Sequence, residues 1–456
     1  MLENFFHFRE NNTNVRTEVI GGLTTFMTMA YILAVNPNIL SASGMDPEAI
    51  LIATCLASFT GTLLMGLLSN YPFALAPGLG LNAYFAYTVC GRMGYKWQVA
   101  LFAVFVEGVI FIILTLTKVR EAIFNAIPMT LKKGVGAGIG LFVAFIGLQN
   151  AHLVVNDDST LVTNVDFVKD WHTLGICALL ALIGLLLIVF MEVKHVKGAI
   201  LLGIIFTWIL GMIMQACGVY VPDPDKAFYS VYPSFKLTDF SKIRLTFGQC
   251  FNLDFKGVGL VNFIIVTFSF LFVDMFDTIG TLIGVSDRAG MLDKDGKLPK
   301  VREALLADAV ATCAGAVFGT STTTTFVESS AGVGAGARTG FASIVTGFMF
   351  LIAIFFAPVF ISIPGFATAP ALIYVGFLMI SAILDIDFSD LREAIPAYLT
   401  IICMPLMYSI AEGISIGVIS YVAINLVLNI ICEEKKKITP LMYVLAILFV
   451  LKYIFL

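Results

Sequence analysis

Runs of apolar residues about as long as a membrane is thick recur along this chain, separated by short polar stretches. A bilayer's hydrocarbon core is ~30 Å thick, so a helix needs about 20 predominantly apolar residues to cross it. By that rule spans 1–7 are expected near 17–40, 47–69, 73–91, 97–116, 133–151, 171–192 and 196–216. A polar loop, 217–256, follows. Spans 8–14 are expected near 257–284, 301–319, 322–337, 341–361, 368–384, 394–411 and 413–432. The last apolar stretch, 439–456, is short and follows Glu433-Glu434-Lys435-Lys436-Lys437. It reads as a cytoplasmic or interfacial helix, with a fifteenth span as the alternative.

Composition agrees with the pattern. Of 456 residues, 59% are hydrophobic and 13% charged, with a mean hydropathy of +0.95. A globular chain has roughly 45–50% apolar and about 25% charged residues. The surplus has to face lipid, which excludes a soluble protein or soluble enzyme. The net charge of −4 points to no nucleic-acid partner. The eight cysteines include no CxxC spacing, and neither a metal nor a cofactor is expected. Cys55, Cys90, Cys177, Cys313 and Cys403 lie in apolar stretches and read as packing residues, while Cys217 and Cys250 share the long loop and could pair. The charged residues Glu3, Arg9, Glu10 and Arg16 precede a full-length first span, so no cleavable signal is expected.

Lysine and arginine orient the spans. With the N-terminus inside, most of these cations fall on inside segments, among them Lys118, Arg120, Lys132, Lys133, Lys194, Lys197, Arg288, Arg302 and Lys435. Both termini are therefore expected in the cytoplasm, which requires an even number of spans. Fourteen fits.

Two sets of seven spans imply an inverted repeat, because an odd number flips the second copy. Span 2 runs from Ala53 through Ala57 and Ser58 to Gly61; span 9 runs from Ala307 through Ala311 and Thr312 to Gly315, at the same offsets. Spans 3 and 10 are both interrupted, the first by Pro72 and Pro77-Gly78, the second by the run Thr322 to Thr325. Proline blocks helix continuation and β-branched runs favour extended backbone. Backbone exposed at that depth has to be paired. The two extended pieces are therefore expected to pair as a short antiparallel ribbon. Corresponding broken segments in inverted halves point to a transporter binding site.

An acidic group inside a span costs roughly 2.5–3.5 kcal/mol on insertion scales, which makes each one a functional candidate. They are Glu107 in span 4, Asp274 and Asp277 in span 8, Asp308 in span 9 and Glu328 in span 10. Glu328 falls where the second half-helix should begin, a position that favours a carboxylate; its other reading is a helix cap alone. Asp277 precedes the small residues Thr278, Gly280 and Thr281, and Asp274 lies one turn earlier. Asp308 reads as structural, bonding the span-9 end or a neighbouring loop, and Glu107 as bonding a serine or threonine across a helix interface. Glu412 reads as a wet loop residue. Asn82, at the start of the first half-helix, is a cap or a ligand contact.

At these residues the chain resembles the nucleobase–cation symporter-2 (nucleobase–ascorbate transporter) family, and within it the AzgA-like purine permeases. The resemblance runs from Thr17–Tyr31 to the end of the chain. It is most specific at Ala76–Phe85, Phe276–Leu282 and Gly319–Gly332. The most similar branch is the bacterial guanine/hypoxanthine permeases.

The resemblance implies an all-α, seven-plus-seven inverted fold. It has a substrate-binding core domain (1–116 and 257–361), a gate domain (130–216 and 362–432), an extracytoplasmic loop (217–256) and a terminal segment (433–456). It implies proton-coupled uptake of a purine base across the cytoplasmic membrane of a bacterium; a homodimer is compatible with it. By motif the span-8 acid falls on Asp277 and the span-10 acid on Glu328, whereas Asp274 receives no family role.

The base would meet Glu328, Asp277, Asn82, Ser329 and Thr281. Phe26, Tyr84 and Phe326 could stack on it, or pack in the core. Guanine presents N1–H and an exocyclic amine as adjacent donors, and one carboxylate can accept both; hypoxanthine keeps N1–H. The ranking of guanine, hypoxanthine and adenine stays open. Asp277 is the expected proton carrier.

Two other readings compete. Asp274-Met-Phe-Asp277 and Asp387-Phe-Ser-Asp390 both have the DxxD spacing that holds Mg²⁺ for a diphosphate in prenyltransferases, but no cluster of cations accompanies them. An anion exchanger on the same inverted fold would prefer a neutral or positive site.

Overall fold

The computed structural model describes residues 2–117, 127–223, 228–234, 236–254, 258–288, 290–291, 298–431 and 435–455. Lys118, Arg120, Glu433 and Glu434, used above for orientation and for the tail, lie outside the described residues. The protein is an all-α membrane protein. Among the described residues nine helices are long and apolar enough to cross a bilayer, and other helices, broken or less apolar, occupy the remaining expected spans. Span 2 (Pro47–Leu68) shows how one starts: Asp46 caps it by accepting from the Glu48 and Ala49 N–H groups, and Pro47 occupies the first turn.

The two interruptions meet each other. Leu75–Pro77 in span 3 (β1) pairs antiparallel with Thr323–Thr325 in span 10 (β4), with Ala76 opposite Thr324. Each strand gives way to a helix, in span 3 Leu79–Ala83 continued as a wider π-helix to Arg92, and in span 10 the short Ser329–Gly334. Beyond β4, the Phe326 N–H donates to Ala74 O at 2.9 Å, and the Gly78 N–H donates to Thr322 O at 3.0 Å. The ribbon is fully buried, so its outward groups need partners from the helices around it. Thr62 of span 2 accepts from the Leu75 N–H at 2.9 Å, and Thr312 of span 9 donates to Thr323 O at 3.0 Å.

The repeated glycines of spans 2 and 9 explain how a ribbon fits there. A Cβ on Gly61 would lie 2.7 Å from Ala311 Cβ and 3.1 Å from Leu75 Cβ, and one on Gly315 would lie 2.8 Å from Thr323 Oγ1. Each glycine makes room for the strand of its own half.

Packing between spans follows the exchange of each span with its counterpart seven further on. Span 5 packs on 12 and span 3 on 10, pairs that map onto themselves. Span 4 on 9 maps onto span 11 on 2, span 13 on 14 maps onto 6 on 7, and span 5 on 13 maps onto 12 on 6. That is the packing signature of an inverted repeat. The closest packing joins spans 1, 2, 4, 9 and 11 in one group and spans 5, 6, 7, 12, 13 and 14 in another.

A second hairpin, Val154–Asp157 (β2) with Leu161–Asn164 (β3), joins spans 5 and 6. The long loop is anchored at two interior points: Trp208 Nε1 of span 7 donates to Val231 O at 2.7 Å, and Lys242 pairs with Asp46 at 3.2 Å and Glu48 at 3.1 Å. Cys217 and Cys250 are both free thiols in this loop.

The tail helix Pro440–Phe455 packs lengthwise on span 14 (Ile410–Ile431), burying Met442, Leu445 and Phe449. Its Tyr453 hydroxyl donates to Glu412 Oε2. Glu412 is therefore not a loop residue but belongs to the first turn of span 14, and the tail runs back along the bundle to reach it.

Candidate substrate site

Glu328 sits at the N-cap position of Ser329–Gly334, yet its side chain makes no capping bond. Its Oε1 instead accepts from the Tyr31 hydroxyl at 2.6 Å, and the residue is 8% exposed. Ser329, next in line, spends its hydroxyl oxygen on the Ala74 N–H at 2.9 Å and so locks the half-helix to the base of β1.

Opposite them, span 8 (Leu260–Arg288) and span 9 bring two acids and the ribbon to one hydroxyl. Thr278 Oγ1 lies 2.9 Å from Asp274 Oδ1, 3.1 Å from Asp308 Oδ1 and 2.8 Å from Thr324 Oγ1 on β4. Asp274 and Asp308 are completely buried, whereas Asp277 keeps accessible surface, as does Thr281 one turn later on the same face. Of Asp274, Asp277 and Asp308, Asp277 is the one with accessible surface. Gly78 leaves it room: a Cβ there would sit 3.5 Å from Asp277 Oδ2 and 2.8 Å from Thr324 Cγ2. Asp277 is also within electrostatic reach of Asp308, Glu328 and the Tyr31 hydroxyl.

Asn82 is buried, with its amide toward Pro77 O at 3.4 Å and its Oδ1 accepting from Ser321 across the repeat. Both bonds tie the first half-helix to the ribbon. Phe326 follows β4 and is 6% exposed. Phe26 meets Phe350 of span 11 edge-on, with centroids 5.2 Å apart, so that ring already has an aromatic partner. Tyr84 packs likewise on Phe270 at 4.9 Å. Glu107 accepts from Thr322 at 2.9 Å, a threonine across a helix interface. Asp308 bonds the middle of span 8 through Thr278.

Residues 16–416 match the Xan_ur_permease family, described as a permease family. The chain belongs to the nucleobase–ascorbate transporter family. The permease is 48% identical over 455 residues to a putative permease of Methanocaldococcus jannaschii, covering 100% of this chain and 98% of that one. It is 45% identical over 465 residues to the guanine/hypoxanthine permease PbuG of Bacillus subtilis, covering 100% of both. With the adenine permease AdeP of Escherichia coli it shares 40% over 455 residues, covering 100% of this chain and 96% of the other. The transmembrane domain of a cyanobacterial bicarbonate transporter, BicA, superposes with a TM-score of 0.63 at 16% identity, over 87% of this chain and 97% of that one. The anion transporter SLC26A9 gives 0.57 at 11%, over 93% of this chain and 66% of that one. These two likenesses show the inverted-repeat fold alone.

The protein is thus a transporter and not an enzyme. The second DxxD pair fits that conclusion: Asp390 accepts from the Arg392 N–H to cap span 13 (Leu391–Leu406) and pairs with Lys436 at 2.8 Å. Tyr31 and Thr278 are the site residues that sequence reasoning missed. Tyr31 lies in an interruption of span 1, between Val15–Met29 and Ile32–Leu40, that no proline or glycine announces. For Thr278 the only signal was its place beside Asp277.

Proposed function

We propose that the permease takes up purine nucleobases, guanine and hypoxanthine with adenine as the alternative base, in symport with protons by alternating access. The observation that carries this reading is Glu328. It is a buried carboxylate beside the ribbon, held by Tyr31 and not consumed as a cap. Such a group accepts from a ligand's N–H donors, and a buried acceptor strongly rejects a ligand that lacks them. Whole-length likeness to a guanine/hypoxanthine permease supports the choice of base.

In this reading the core domain is 1–116 and 257–361, and the gate domain is 130–216 and 362–432. Glu328 accepts from purine N1–H, and Ser329 and Asn82 keep the two half-helices in register around it. Phe326 offers a ring face, while Phe26 would have to leave Phe350 to offer one. Asp277, with Thr281 beside it, faces the base from span 8 and carries the proton. A neutral base feels no pull from the membrane potential, so its accumulation requires a co-transported cation. A carboxylic acid within a span meets that need, because protonation removes the cost of its charge.

The test is uptake of labelled hypoxanthine into cells lacking purine transport, with unlabelled competitors. Guanine should compete and uracil and nucleosides should not, because a site between half-helices holds a bare bicyclic base. Strong competition by uracil would sink the purine assignment.

A further inference from the structure

We infer that Tyr31 is a specificity-determining residue, which divides the acceptor capacity of Glu328 between the protein and the bound base. The inference rests on the reading of Glu328 as the carboxylate that accepts from the base. Span 1 is interrupted at Ala30–Tyr31, and the helix resumes at Ile32. The turn sets the phenol against span 10, where it donates to Glu328 Oε1 at 2.6 Å. Tyr31 is 1% exposed, so bulk water does not compete for this bond. A phenol donating to a carboxylate makes a charge-assisted bond, which fixes the orientation of the carboxylate plane.

The consequence lies in what remains for a ligand. An ionised carboxylate has two oxygens and about four lone-pair sites. Because the phenol draws on Oε1, a ligand either uses the other oxygen or shares Oε1 with Tyr31. Hypoxanthine presents one N–H on this edge and needs one oxygen. Guanine presents N1–H beside the exocyclic amine, spans both oxygens and has to share Oε1. The Tyr31 hydroxyl therefore handicaps the two-donor base relative to the one-donor base. Two residues that precede it on span 1 do not share this role: Thr28 bonds Thr24 O and Thr25 O and reaches Glu328 at its main-chain oxygen, at 3.5 Å, and Phe26 faces Phe350.

Tyr31→Phe keeps the ring and removes the donor. Inhibition constants for guanine and hypoxanthine, measured side by side against uptake of labelled hypoxanthine, read the effect. The preference for guanine should rise roughly three- to tenfold, the worth of one net hydrogen bond. Placing 3,5-difluorotyrosine at position 31 makes the phenol a stronger donor and should move the preference the opposite way. That arm keeps the test decisive if Tyr31→Phe expresses poorly. A change of both constants by one common factor, or no change in either, would overturn the inference. Glu328→Gln is measured alongside. If it leaves hypoxanthine affinity intact, the recognition reading of Glu328 fails on its own, whatever the Tyr31 variants do.

Discussion

Glu328 stands where a helix cap is expected, and its backbone occupies that position, but its side chain turns to Tyr31. Replacing it by glutamine exchanges one acceptor oxygen for an amide NH2 donor that opposes the purine N–H. Hypoxanthine binding should weaken by about 1.5–3 kcal/mol, the scale of a hydrogen bond to a charged group, as read by binding to purified protein. Unchanged affinity in a well-folded variant would return Glu328 to a purely structural role. Asp277 differs from its neighbours by keeping accessible surface, since Asp274 and Asp308 are fully buried around Thr278. Asp277→Asn should therefore abolish uphill accumulation while leaving downhill exchange of base. Persistent accumulation with intact pH dependence would send the proton to another acid, with Asp274 and Glu107 next to test.

At the scale of elements, the ribbon was legible because proline and a threonine run both exclude a continuous helix, and unpaired backbone cannot remain in lipid. The interruption of span 1 was not legible. Met27-Thr-Met-Ala-Tyr31 contains neither proline nor glycine, so no helix breaker marks the turn there. The partnership of Thr278 with Asp308 was equally hidden, because thirty residues of sequence separation carry no spacing signal. The glycines of spans 2 and 9 give the element scale its own prediction. Gly61→Val would drive a side chain into Ala311 and Leu75, and should cost about 1–3 kcal/mol by overpacking, seen as a lower melting temperature in detergent. Gly136→Ala, where nothing lies within 4 Å of the new Cβ, is the control and should cost nothing. Equal losses at both positions would contradict the close approach of ribbon and helix.

For the whole molecule, the tail helix on span 14 has no counterpart under the exchange of spans seven apart. Lys436 ties its start to span 13 through Asp390 at 2.8 Å and Glu393 at 2.5 Å. The bond to the Lys436 ammonium holds the Asp390 carboxyl below its usual range. A carboxylate held low in the folded state contributes above its unfolded pKa, so the tie is present at neutral pH and fades as acid protonates Asp390. Lys436→Ala should speed hydrogen exchange in 440–455 with little change in melting, because partly exposed ion pairs contribute no more than about 1 kcal/mol. An unchanged exchange pattern would mean that packing on span 14 alone holds the tail.

The central claim, purine uptake driven by protons through the ribbon site, is tested most directly in proteoliposomes holding the purified permease. An imposed inward proton gradient, with no sodium present, should concentrate labelled hypoxanthine inside the vesicles. A protonophore should collapse that accumulation, and Asp277→Asn should prevent it. Hypoxanthine that merely equilibrates under the gradient, or that accumulates equally with the protonophore present, would contradict the account.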